Sequence, residues 1–151
     1  MTTFPLLVGL ALGPVVGLLA TVAMDRVMPR LPEGTTAPKV AAGVLTDTPV
    51  DAASTRLATW VHYAAGCGSG LLFVGLVAAV GAATGLGTAP TLAVGGTAMV
   101  ALMVGFFALV PLPRARGLSR RRVVAIRRDW AIAAAVYVAV AAALVGVVAA
   151  F

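Results

Sequence analysis

Four long apolar runs alternate with polar segments along this chain, at residues 4–24, 59–83, 89–112 and 130–151. Each is near the twenty residues that an α-helix needs to cross a hydrocarbon layer about 30 Å thick. None contains Asp, Glu, Lys or Arg; the eleven basic and five acidic residues all fall between or beside the runs. The pattern predicts a single all-α membrane domain, residues 1–151, with four transmembrane helices in an antiparallel bundle. Two long loops, 25–58 and 113–129, share one side. Gly85-Leu86-Gly87 makes a tight turn on the other.

The polar segments carry their own signals. Pro29, Pro32, Pro38 and Pro49, with Gly34 and Gly43, break the first loop into short pieces. Within it, Val40–Leu45 suits one helical turn lying on the membrane. Thr48-Pro49-Val50-Asp51 reads as a capping box with proline at the first helical position, so the second long helix is expected to start near Pro49. Ser119 is expected to cap a helix through residues 120–129 that runs on into the fourth span. The first run differs from a cleaved leader: no Lys or Arg precedes it, it is long, and Asp25-Arg26 follows at once.

In lipid, apolar side chains gain little by touching each other, so helices associate where small residues let backbones approach. Gly9, Gly13 and Gly17 recur every four residues on the first span, and Gly66 and Gly70 do so on the second. Ala131, Ala135, Ala139 and Ala143 form a similar stripe on the fourth. These faces suit packing within one bundle first, and a seam with a second copy or another membrane protein as the alternative.

Composition agrees with the pattern. The chain is 61% hydrophobic and only 11% charged, whereas soluble domains are near a quarter charged. The net charge of +6 is a topology signal rather than a nucleic-acid footprint, because no aromatic interleaving or nucleic-acid motif accompanies it. Arg26, Arg30, Lys39 and Arg56 lie in the first loop. Arg114, Arg116, Arg120, Arg121, Arg122, Arg127 and Arg128 lie in the third. The other side has none, which places both long loops in the cytoplasm and both termini outside a cell membrane. Trp60 and Trp130 open their spans at the cytoplasmic face, where indoles favour the interface. Arg120, Arg121, Arg122, Arg127 and Arg128 are the candidate contacts for anionic lipid headgroups or a protein partner.

Candidate chemistry is sparse. His62 shares a helical face with Gly66 and Gly70, so it points toward a neighbouring helix. The topology places Asp25, His62, Tyr63 and Asp129 in one polar layer at the inner interface. A pH-sensitive or ligand-binding role and a purely structural role both fit such a layer. Tyr137, deep in the fourth span, needs a hydroxyl partner, for which Thr97 and Ser69 are candidates. Cys67 reads as a small packing residue. One His and scattered Met give no haem pattern, no metal spacing exists, and no cofactor is expected. No midplane ionisable group, GxSxG, HExxH or Walker loop is present.

The stretch Ala20-Thr21-Val22-Ala23-Met24-Asp25 closing a glycine-rich first helix, followed by His62-Tyr63 and the Gly66–Gly70 run, resembles small four-span prokaryotic membrane proteins of uncharacterised function, including the YagU-like group. The likeness covers about the first half of the chain and excludes the arginine-rich loop. It implies a polytopic membrane protein and no catalytic assignment. The uncharged spans, the small-residue faces and the arginine-rich loop lead instead to the expectation of a non-enzymatic accessory or interaction subunit with a basic cytoplasmic face. The alternative is a small-solute channel or transporter with the Asp25–His62 layer at its inner mouth. A lipid-modifying enzyme is the third reading.

Overall fold

The computed structural model describes residues 6–150, with side chains for residues 11–150. The beginning of the first apolar run, the packing of Gly9 and the terminal Phe151 lie outside the described residues. Five α-helices follow one another: α1 (Leu6–Val27), α2 (Thr36–Thr46), α3 (Thr55–Thr84), α4 (Thr88–Leu109) and α5 (Arg120–Val148). All but α2 belong to segments long and apolar enough to cross a membrane. Their outward faces carry exposed Leu18, Leu19, Leu71, Leu72, Val94, Leu102, Phe106 and Ile132. That surface suits a lipid solvent and would be a severe liability in water.

The closest packing joins α1 to α3, which cross antiparallel through glycine. A Cβ on Gly13 would lie 2.6 Å from the Leu71 Cα, and one on Gly70 would lie 2.5 Å from the Gly17 Cα. A Cβ on Gly66 would collide with the Thr21 hydroxyl. That hydroxyl donates back to the Gly17 carbonyl at 2.7 Å, so the polar group in the seam is satisfied. The pair leaves no room for any side chain beyond hydrogen, which is why glycine stands at these four positions.

Around the seam, Val16, Ala20, Met24, Phe73, Met99, Tyr137, Val138 and Ala141 form the main core. The alanine stripe of the fourth span does not join it. Ala133, Ala134, Tyr137, Val138 and Ala141 face inward, while Ala135, Ala139 and Ala143 are exposed. α5 packs against both α1 and α4, and it fills that wider gap with Tyr137 and Val138. A stripe of bare alanines has too little volume to do so.

At the end carrying the arginine-rich loop, a second core gathers Ala37, Val40, Val50, Phe107, Leu112 and Ile126. Here the local expectations change. Val40–Leu45 belongs to an eleven-residue helix tucked onto the bundle, with Val40 fully buried. The chain after Pro49 makes only a 3₁₀ turn, Val50–Ala52, because Val50 is drawn into this core. The Val50 N–H donates to the Arg116 carbonyl at 3.1 Å, tying the two loops together. α3 begins later, where the Ser54 hydroxyl accepts from the Leu57 N–H at 3.3 Å. Ser119 caps α5 in the same way, accepting from the Arg122 N–H at 3.4 Å.

At the opposite end, α3 turns into α4 through Gly85, whose φ of 66° suits glycine. Its N–H donates to the Gly81 carbonyl at 2.9 Å. Gly81 packs against Thr91, and Gly95 against Val77, so the hairpin is shut at this end.

Gly17→Ile and Gly70→Leu should therefore lower the thermal midpoint in detergent sharply, by the roughly 3 kcal/mol or more that overpacking a backbone contact costs. Gly68→Ala and Gly75→Ala meet nothing within 4 Å and should leave it within a few degrees. Circular dichroism melts of the four variants check this.

Candidate functional site

α1 and α3 are locked at the glycine seam, and this fixes what meets near their arginine-rich ends. Asp25, two turns past Gly17, faces the opening turns of α3. His62 Nε2 lies 2.8 Å from Asp25 Oδ1, and the Tyr63 hydroxyl donates to Asp25 Oδ2 at 2.6 Å. The His62 side chain is only 10% exposed and Asp25 33%. A carboxylate can only accept, so Nε2 carries the proton in this contact and Nδ1 is the free position of a neutral ring. The two rings of His62 and Tyr63 meet edge to face, 5.6 Å apart.

The fourth residue of the expected polar layer behaves differently. Asp129 is fully buried and makes no hydrogen bond with Asp25, His62 or Tyr63 among the described residues. One oxygen accepts the Glu33 N–H at 2.7 Å, and the other accepts from Arg128 at 2.8 Å. Its job is to hold the chain that leaves α1. Trp130 beside it also turns inward. Its indole N–H donates to the Met103 carbonyl at 3.2 Å, and its ring lies 4.9 Å from that of Phe107. Only Trp60, 68% exposed, is placed as an interfacial anchor would be.

Beside His62 the bundle is hollow. A cleft of about 360 Å³ lies between α3 and α4, which close on each other at the hairpin and separate toward the arginine-rich end. Its α3 wall runs from Val61 to Leu72, about 16 Å at 1.5 Å per residue, or half a hydrocarbon layer. The floor is Thr21, Met24, Met99 and Tyr137, all buried. The outer rim is Leu72, Leu102 and Phe106, 50%, 48% and 60% exposed. The cleft therefore opens sideways, between two spans.

Its lining is almost wholly apolar and includes no Asp, Glu, Lys or Arg. Most of its polar groups are already engaged. The Tyr137 hydroxyl donates to the Gly66 carbonyl at 2.7 Å, a backbone partner in place of Thr97 or Ser69. Thr97 instead bonds its own helix, at the Ala93 carbonyl.

α2 forms the end wall through Ala37, Pro38 and Ala41, and charge holds it there. Arg122 reaches Glu33 at 2.7 Å and Asp51 at 2.9 Å, joining the chain on both sides of α2 to the start of α5. The Arg122 guanidinium holds both carboxyls below their usual range. Arg120, Arg121 and Arg127 stay exposed on the surface, while Arg128 is paired with Asp129. Of the five arginines expected to meet lipid or a partner, Arg122 and Arg128 thus have internal partners. The sequence does not single out Glu33, marks Asp51 only as part of a capping box and α2 only as the Val40–Leu45 turn, although four of the five acids standing in one proline-rich loop opposite seven arginines is a readable charge signal. Among the described residues no cluster fit for a metal ion occurs.

Because Glu33 is depressed in the folded state, its contribution to holding α2 is complete above its ordinary value of 4.5 and fades as pH falls through the lowered one. With the intrinsic pH dependence of exchange divided out, the protection of α2 amides should be high and flat above that pH and should fall below it, ahead of α1 and α3. Arg122→Gln should give fast α2 exchange already at neutral pH.

No family model, curated protein or solved structure matches the chain, so the likeness to four-span membrane proteins rests on the quoted residues alone.

Proposed function

We propose that this is a non-enzymatic, multi-pass cell-membrane protein that holds a lipid-soluble small molecule in the cleft between α3 and α4. In this reading the arginine-rich end is cytoplasmic and both termini are outside. The observation that carries the reading is the cleft itself: almost wholly apolar, half a membrane deep, open toward lipid and bordered by His62. Exposed Arg120, Arg121 and Arg127 would rest on anionic headgroups of the inner leaflet. They orient the accessory role without being its binding site.

A channel needs a polar route along the bundle axis. Phe73, Met99 and Tyr137, at most 1% exposed, fill the interior instead, so the packing favours a binder over a solute path. A lipid hydrolase needs a nucleophile beside its base. Ser69 is two turns from His62 on α3, about 10 Å along the helix, and no hydrogen bond joins them among the described residues.

Two measurements test the reading. In a Cys67→Ser background, Arg120→Cys should be shielded from a membrane-impermeant maleimide in intact cells and Leu86→Cys should be labelled; the reverse pattern would invert the topology. For the cleft, Trp130 in its lining is the reporter once Trp60→Phe removes the other tryptophan. A long-chain bromoalkane should quench it saturably in phosphatidylcholine nanodiscs, and Ala65→Phe, which fills the cleft, should abolish saturation. Quenching that merely tracks bilayer concentration in both proteins would exclude a binding site.

A further inference from the structure

Among the described residues two polar side chains of the cleft still have a free position: Ser69, part-way along the α3 wall, and His62 at the edge. His62 contacts Asp25 through Nε2, and Nδ1 has no partner among the described residues. No described buried side-chain nitrogen or oxygen lacks a partner, so Nδ1 is not sealed off. The open space beside the ring is the cleft. An acceptor nitrogen at the edge of an apolar slot is a recognition element, because a donor placed there replaces water that the slot excludes.

We propose that the cleft selects a single-chain lipid alcohol, whose hydroxyl donates to His62 Nδ1 while its chain lies along Ala65, Ser69, Leu72 and Met99. This rests on the binding role proposed above and adds the ligand's head chemistry. Charge decides the class. Asp25 stands on the far side of the imidazole, and no Lys or Arg lines the cleft. A carboxylate or phosphate head would be desolvated there with no cation except a protonated His62. An uncharged hydroxyl needs none. It also suits both states of the ring, donating to neutral imidazole and accepting from imidazolium. The volume, about 360 Å³, is near the lower end of small-molecule sites and fits one chain rather than two. Asp25 and Tyr63 act as positioning residues: they fix the tautomer and turn Nδ1 to the cleft, and they do not touch the ligand.

The Trp60→Phe protein in phosphatidylcholine nanodiscs separates this proposal from the broader one. Three probes share a chain with bromine at the far end and differ at the head: a hydroxyl, its methyl ether and a carboxylate. Corrected for partition into empty nanodiscs, the alcohol should bind about three- to tenfold more tightly than the ether, the worth of one hydrogen bond. The carboxylate at alkaline pH should bind more weakly than the alcohol. His62→Phe should erase the alcohol's advantage and keep saturable binding of the ether. Equal affinities for alcohol and ether, or a preference for the carboxylate, would overturn the head-group assignment while the cleft stands. Saturable quenching by none of the three would remove the cleft and the assignment together. The alcohol–ether comparison needs no substitution at His62, so it decides the matter even if His62→Phe does not fold.

Discussion

Two helix backbones touching with only hydrogen atoms between them govern the geometry of this protein. In lipid, burying another leucine brings little net gain, so the approach of α1 to α3 at Gly13, Gly17, Gly66 and Gly70 supplies what a hydrophobic core supplies in water. The contact is short-range and directional. It fixes the register of two antiparallel rods, and that register brings Asp25 opposite His62 and Tyr63. A slip by one helical turn would leave a carboxylate facing apolar side chains at the membrane edge.

The same economy explains the hollow. α1 and α3 use their small residues on each other, and the hairpin halves of α3 and α4 use theirs at Gly81 and Gly95. Toward the arginine-rich end the facing positions are Val61, Ala65, Leu102 and Phe106, with no glycine pair to close them. The helices part there, and α2 with its charged fastening to Arg122 bounds the gap. The cleft thus follows from where glycine stops, and its polar edge from the histidine that the seam pins there.

The spans, the hairpin turn, the Ser119 cap and the glycine faces of α1 at Gly13 and Gly17 and of α3 at Gly66 and Gly70 were legible in the sequence, because each is set by a local pattern acting alone. The meeting of Asp25 with His62 and Tyr63 followed from topology and depth. What was not legible depends on rotation about a helix axis and on loop packing. Asp129 sits at the expected depth yet turns toward the loop at Glu33. Trp130 has the composition of an anchor but finds a carbonyl on α4. The alanine stripe of α5 has the right spacing and the wrong volume for the gap it would fill. Pro49 looked like a helix start because Thr48 and Asp51 flank it, and burial of Val50 diverted the chain. The α2 helix showed only as the Val40–Leu45 turn, because the rest of its stability comes from neighbours distant in sequence.

The bond from the Tyr137 hydroxyl to the Gly66 carbonyl bears on how the molecule is assembled during synthesis. That oxygen belongs to the α1–α3 crossing, and the apolar face around Tyr137 fits the groove which that crossing creates. The final helix emerges from the ribosome after the other three spans, and its buried side has no complete counterpart until they have met. It is shaped like the keystone of an arch: it fits only where the other pieces have met, and it holds them in place.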